Sequence, residues 1–516
     1  MKKKLFVLFL GLLVFLNANA QTKPNVIFII VDDLGYNDVG FMGSKYYETP
    51  FLDNLSSKST IFSRAYAACQ VCSPSRASIL SGSYPSTHGV TDWIGASSGI
   101  EWRKQNKFTK VLPPQYSKQL DLEFTTIPEL LKQNNYATFF AGKWHLGNKG
   151  FYPTDQGFDI NIAGSHKGHP SSYFSPYGME NITNGPNGEN LDMRLAIETS
   201  KFIEKNKDQP FFAFLSFYAV HSPIQTTKDK WTYFRDKSEK QGINENGFAM
   251  ERILPARIKQ DNPIYAGLVS SMDDAVGVVL EALKKNNLDK STIIIFTSDN
   301  GGVVSGDNFS TNLLPLRGGK GYQWEGGIRV PMFIYMPGGK AQKINTPVIG
   351  MDFLPTILEL TNTKAKPSQK VDGVSLLPLL NQKKISKRSL FWHYPHYGNQ
   401  GGEPSSIIQM ENFKLIHYWE DGRNELYDLD KDLGEQNNIA KNYQTKEKKM
   451  WNNLNNWLQE TNAKLPEIDK EHIAEKEEIH KNKVKTEVWA NQEKNRKNML
   501  KKDFQPNINW WGSQID

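Results

Sequence analysis

The chain has 516 residues, a formal net charge of +7 and two cysteines. That length carries one large domain plus a smaller one, and two cysteines exclude a disulfide framework. The mild positive excess suits a polyanionic substrate and does not point to nucleic acid.

Residues 1–20, MKKKLFVLFLGLLVFLNANA, combine a lysine-rich start, an apolar run from Leu5 to Leu16 and a small-residue ending. This predicts a secretory signal peptide cleaved after Ala20. Loss of Lys2, Lys3 and Lys4 lowers the charge to +4. The apolar run is short for a membrane helix, and no later run reaches that length. No cysteine follows the cleavage site to take a lipid. The expected product is exported, periplasmic or secreted, without stable membrane insertion.

Four apolar runs follow in order, each ending in polar residues. NVIFIIV leads into Asp32-Asp33-Leu34-Gly35, and YATFFAG into Lys143-Trp144-His145. PFFAFLSFYAV leads into His221-Ser222-Pro223, and STIIIFTS into Asp299-Asn300-Gly301-Gly302. Apolar runs without alternation predict strands buried on both faces of a parallel sheet. Thr126-Ile127-Pro128-Glu129 predicts a capping box opening a helix before the second run. Met272, Val276, Val279, Leu280 and Leu283 recur at helical spacing before the fourth.

The fold class expected is α/β: a mostly parallel central sheet flanked by helices over residues 21–387. Residues 388–465 change texture and predict a small C-terminal subdomain of short antiparallel strands and one helix. Residues 466–516 are dense in Lys, Glu and Asn, the composition of a solvated helix or tail. In such sheets ligands collect beyond the carboxyl ends of the strands, where all four polar clusters fall. Each cluster alone reads first as turn chemistry; their repetition at equivalent strand ends points to one site.

Asp32, Asp33, Asp299 and the amide oxygen of Asn300 form an all-oxygen set. That set suits a hard cation, calcium first and magnesium second, rather than zinc. The pair in "CQVCSPSRASILSG", Cys69 and Cys72, admits several readings: a local disulfide, two buried small side chains, or a reactive position. A zinc site would need a second ligand pair, and none is present.

Cys72-Ser73-Pro74-Ser75-Arg76, with ASILSG behind it, closely resembles the signature of the formylglycine-dependent sulfatases of the alkaline phosphatase superfamily, in their polysaccharide-active bacterial branch. The resemblance extends through VDDLGYNDVG, GKWHLG, FYAVHSPIQ, TSDNGG, LRGGKGYQWEGGIRVPMFIYMPG and NELYDLDKDLGEQNNIA, to about residue 460. It departs at Ser83, where many members carry a basic residue.

The resemblance implies that a formylglycine-generating enzyme converts Cys72 to 3-oxoalanine. One hydroxyl of the hydrated aldehyde would then attack sulfur, and the other would expel sulfate. Asp32, Asp33, Asp299, Asn300 and the modified Cys72 would bind one calcium ion. Arg76 would hold the diol, and Lys143 and Lys320 would clamp sulfate oxygens. His145 would assist the second deprotonation, and His221 would protonate the leaving oxygen. Cys69 would be incidental.

Asp92, Trp93, His393 and His396 lie in segments mixing aromatic and polar residues, as carbohydrate pockets do, and are candidate substrate contacts. The expected substrate is a sulfated oligo- or polysaccharide, a seaweed polymer such as ulvan or carrageenan. Host glycosaminoglycan or mucin glycan is the alternative, and a phosphonate or phosphate ester a more distant one. A catalytically dead binding protein would not require the intact Cys72, Arg76 and carboxylate set.

Overall fold

The computed structural model describes residues 23–105, 108–242 and 246–505; the expected signal peptide lies outside them. An eight-stranded sheet organises the larger part. Its strands in chain order are β1 (Asn25–Val31), β2 (Thr60–Phe62), β3 (Ala137–Gly142), β4 (Ile160–Ile162), β5 (Phe211–Ser216), β6 (Thr292–Ser298), β7 (Met332–Tyr335) and β8 (Gln342–Ile344). Across the sheet they run β8-β2-β7-β6-β1-β5-β3-β4. All neighbours pair in parallel except around β7, which is antiparallel to both β6 and β2.

β1 lies between β6 and β5 and is buried along its whole length. Ile27, Ile29 and Val31 enter one apolar layer, while Val26, Phe28 and Ile30 enter the other. Period-two geometry sends alternate side chains to opposite faces, so a strand covered on both sides must be apolar throughout. Each fully buried Ile or Phe contributes about 1.5–3 kcal/mol.

Long helices cover the first face: α2 (Leu191–Lys205) and α3 (Pro263–Lys285). Met272, Val276, Val279 and Leu283 point inward from α3. The second face is covered partly by α1 (Cys72–Ser81) and by the short helix Ile127–Lys132. That short helix has the expected capping box: the Thr126 amide donates to Glu129 Oε2 at 2.7 Å.

The C-terminal subdomain is a four-stranded antiparallel sheet, Leu390–Tyr394, Ser405–Met410, Phe413–Tyr418 and Asn424–Asp428, backed by a helix over Gln444–Glu460. Met450, Leu454, Trp457 and Leu458 bury that helix against the sheet.

Residues 466–505 are largely exposed but anchored to the body. Glu467–Ile468 pairs with Val111–Leu112, and Glu493 Oε1 accepts from the Gly247 and Phe248 amides at 2.7 and 3.0 Å. Arg496 Nε donates to Asp261 Oδ2 at 2.7 Å. Among the described residues, no helix is long and apolar enough to cross a membrane.

Candidate active site

The polar clusters that follow β6, β1, β5 and β3 meet beyond the carboxyl ends of those strands. Because the strands are neighbours, Asp299 and Asn300 stand beside Asp32 and Asp33, with His221 and then Lys143 and His145 beyond. Asp32, Asp33 and Asp299 offer oxygens within 4.8 Å of one another, and all three side chains are buried.

Charges alternate across this cluster. Lys143 Nζ donates to Asp32 Oδ2 at 2.6 Å, and Lys320 Nζ donates to Asp33 Oδ2 at 2.7 Å. Arg76 Nε donates to Asp299 Oδ2 at 2.7 Å. Three buried carboxylates therefore face three buried cations, as burial of charge requires.

The two adjacent aspartates differ in proton affinity. Burial and the nearby Asp299 push Asp32 well above the ordinary carboxylate range, against the pull of Lys143. Burial acts the same way on Asp33, but Lys320, His221 and Lys143 overcome it and hold Asp33 below that range.

The donor set fits a hard cation. Asp32 Oδ1 and Asn300 Oδ1 are buried and have no hydrogen-bond partner. Asn300 Nδ2 donates to Asp33 Oδ1 at 2.8 Å, which turns its amide oxygen the other way. Buried oxygens without a hydrogen bond, beside carboxylates, are what an oxygen-coordinated ion requires. Asp33 and His145 have φ of 61° and 56°, the left-handed region that Asp and His tolerate better than most residues. Such backbone costs about 1–3 kcal/mol and concentrates at functional sites.

Cys72 opens α1, and every residue of that helix is buried. A helix N-terminus favours developing negative charge. Pro74 is tolerated in the first turn, where backbone N–H groups lack intrahelical acceptors. Arg76 lies one turn after Cys72 and so faces the same side. Its Nη1 donates to the Lys143 carbonyl at 2.9 Å and to Ser216 Oγ at 2.7 Å. The spacing of cysteine, proline and arginine thus follows from one helical turn that must present a reactive atom and anchor it. Cys69 and Cys72 are both free thiols. Cys69 packs against Val71 and Tyr394, and burial pushes its thiol up, as an inert side chain.

Both candidate histidines have assignable tautomers. His145 Nε2 lies 2.8 Å from the Ile94 carbonyl and must carry the proton donated there. Its Nδ1 is left as an acceptor, 3.6 Å from Cys72 Sγ and 3.3 Å from Ser73 Oγ. His221 Nδ1 donates to the Ser222 carbonyl at 2.9 Å, which leaves Nε2 facing Asp33 Oδ2 at 3.6 Å. Burial and the nearby lysines hold both rings well below the usual histidine range.

A cleft of about 450 Å³ opens over this cluster. Cys72, His145, His221 and Lys320 form its base, and Trp93 contributes to the wall. The other three proposed substrate contacts lie outside it. Asp92 is buried beneath Trp93, accepting from its amide at 2.8 Å and from Tyr394 OH at 2.9 Å. His396 is buried behind Asp92, 2.9 Å from Thr91 Oγ1. His393 is buried in the C-terminal sheet, bonded to Ser406 Oγ and the Lys464 carbonyl. It points away because alternate residues of that strand face opposite sides.

The same segment reaches the cleft through Asn399 and Gln400 instead. His166, Lys167, His169 and Asp307 complete the wall. The two histidines in GSHKGHP carry a faint sequence signal, whereas Asp307 carries none. Its carboxylate accepts from Gln400 Nε2 at 2.8 Å, a contact between distant loops.

Fold and site define a hydrolase of the alkaline phosphatase superfamily. Residues 24–363 match the sulfatase family model, and residues 319–464 match the model for the C-terminal part of N-sulphoglucosamine sulphohydrolase. A sulfatase of Formosa agariphila is 31% identical, the match spanning 90% of this chain and 95% of that one. Mouse N-acetylgalactosamine-6-sulfatase is 28% identical over 75% of this chain and 72% of its own. The crystal structure of Ps i-CgsB in complex with k-i-k-neocarrahexaose superposes with a TM-score of 0.70 at 27% identity, covering 92% of this chain and 100% of that one. The chain belongs to the sulfatase family, whose members hydrolyse sulfuric esters.

Proposed function

We propose that this sulfatase removes sulfate from a carrageenan-type seaweed polysaccharide, using a formylglycine made from Cys72 and a calcium ion held by Asp32, Asp33, Asp299 and Asn300. The observation that carries the chemistry is the place of Cys72 at a buried helix N-terminus with the Nδ1 acceptor of His145 3.6 Å from its sulfur. The choice of polymer is supported by the likeness to a protein crystallised with a neocarrahexaose. The match to N-acetylgalactosamine-6-sulfatases supports a second reading, a sulfated glycosaminoglycan.

When present, the aldehyde and the ion supply an oxygen nucleophile, a route for sulfate release and neutralisation of sulfate charge. The rest falls to side chains described above. Arg76, fixed by Asp299, Ser216 and the Lys143 carbonyl, holds position 72 at the helix start. Lys320, which lines the cleft, and Lys143, buried beneath it on Asp32, would hold sulfate oxygens as point charges. Metal ligation would require all three aspartates ionised; three carboxylates would then balance three cations, and a divalent ion would leave a positive surplus that an anionic ester offsets.

His145 accepts a proton at Nδ1 from a hydroxyl at position 72, its orientation set by the Ile94 carbonyl. His221 presents Nε2 to the leaving oxygen. An adjacent sulfate favours its protonated ring and opposes the burial that keeps it neutral, so a proton is held there for the sugar alcohol. The sugar leaves toward Trp93, His169 and Gln400.

The test is sulfate release, read by ion chromatography, from carrageenan, ulvan and glycosaminoglycan oligosaccharides. The enzyme is co-expressed with a formylglycine-generating enzyme, and Cys72→Ala runs alongside. Release from carrageenan oligosaccharides that the variant lacks supports the reading; release from the variant overturns the nucleophile. Cleavage of phosphate or phosphonate esters alone would overturn the reaction.

A further inference from the structure

A second cavity, of about 520 Å³, lies on the other side of residues 398–402 from the catalytic cleft. Asn399 lines both spaces, so the two share one loop as a boundary. We propose that this second cavity is a subsite for the sugar units flanking the sulfated residue of a polymeric chain, and that the C-terminal extension completes it. The inference rests on the polysaccharide reading above and adds a binding site remote from the chemistry.

Three observations carry it. The cavity has the size of a small-molecule site, and its wall combines aromatic rings with charged groups of both signs. Phe108 and the stacked pair Trp102–Tyr397, ring centroids 5.4 Å apart, supply the rings. Aromatic surfaces of this kind suit the C–H faces of sugars.

The polar groups are held at the edge of the dividing loop. Arg252 occupies the turn between strands Phe248–Glu251 and Leu254–Arg257, with φ at 53°. Left-handed backbone at an arginine is uncommon and marks a position worth testing for function. Its guanidinium pairs with the buried Glu403, and Nε donates to the Gly401 carbonyl at 3.3 Å. These contacts take two of its five donors. Arg423 donates to the same Glu403 at 2.7 Å. Arg423 also pairs with Asp421 and Glu425, so it fixes Glu403 and leaves Arg252 as the guanidinium that offers its remaining donors to hydroxyl and sulfate oxygens.

The third observation is the far wall. It comes from the helix Ala474–Lys483 and Val484, which contribute Glu477, His480, Lys481 and Val484. The segment leading into that helix is held by Arg103, which donates to Asp469 Oδ2 at 3.0 Å and pairs with Glu471 at 2.7 Å. Lys476 Nζ stands 5.0 Å from the Phe108 ring. A lysine- and glutamate-rich segment without an apolar stripe gains little by docking for stability alone. Completing a wall beside the cleft gives the docking a function.

The test compares sulfate release from disaccharides and hexasaccharides prepared from carrageenan, ulvan and chondroitin sulfate, using the full-length, formylglycine-bearing enzyme and its Arg252→Ala and Lys481→Ala variants. Thermal melting verifies that each variant is folded. For whichever polymer is cleaved, the wild type should prefer the hexasaccharide. Each variant should lose about tenfold in kcat/KM on it, through KM, as loss of a charge-assisted hydrogen bond implies. Disaccharide turnover should stay within about twofold. Equal turnover of both lengths, or equal losses on both, overturns the subsite and leaves the sulfatase reading intact. Absence of release from every polymer overturns the polysaccharide reading, and the subsite with it.

Discussion

His145 Nδ1 stands 3.6 Å from Cys72 Sγ while the Nε2 of the same ring is committed to the Ile94 carbonyl at 2.8 Å. One backbone carbonyl thereby decides which nitrogen faces the reactive position. His145→Ala should lower kcat by about 10²–10⁴-fold with a smaller change in KM. Peptide mass spectrometry should find residue 72 converted as in the wild type. Unchanged kcat would remove His145 from the proton transfers.

Asp299 serves two partners, since its Oδ2 accepts from Arg76 and its Oδ1 accepts from the Asp33 amide at 3.1 Å. Asp299→Asn keeps the shape but removes the charge. Calcium titration should raise the melting temperature of the wild type, with about 2.7 kcal/mol of stabilisation at a hundredfold excess over Kd. The variant should show neither that rise nor activity. Wild-type-like calcium content in the variant, measured by elemental analysis, would exclude Asp299 as a ligand.

His221 is proposed to protonate the departing sugar oxygen, a need that vanishes when the leaving group is acidic. His221→Ala should therefore reduce sulfate release from an oligosaccharide by about 10²–10⁴-fold while sparing an activated aryl sulfate. Equal losses on both substrates would assign His221 to binding instead.

His88 and His393, outside the catalytic cluster, are buried, and burial lowers them to about 3 and about 4 respectively. In the unfolded chain each titrates near the usual value of about 6.5. The unfolded state thus binds more protons between these values. Their contribution to stability is fully present above about 6.5 and is lost as pH falls. Urea unfolding should show the wild type losing about 2 kcal/mol more than His393→Gln between pH 7 and pH 5. Parallel losses would mean that His393 is already charged in the fold.

Much of the candidate site was legible because its polar residues follow directly on buried strands. Continuous apolar runs such as NVIFIIV announce strand ends, and residues at neighbouring strand ends must meet. The substrate wall was less legible. In FWHYPHYGNQGG the conspicuous histidines, His393 and His396, are buried, while Asn399 and Gln400 line the cleft. Strand alternation and the depth of the C-terminal sheet decide that outcome, and residue type does not reveal them. Asp307 reaches the cleft through a contact with Gln400, 93 residues away in the chain, which no local pattern encodes.

What the sequence by itself determined is therefore the sheet-forming runs, the capping box at Thr126 and the all-oxygen donor set. These are consequences of local periodicity and functional-group chemistry. What only the tertiary structure decided is the pairing of each cation with its carboxylate, the nitrogen that each histidine presents, and the docking of the extension beside a second cavity. Those depend on distances between segments far apart in the chain, which are set when the two faces of the sheet are covered.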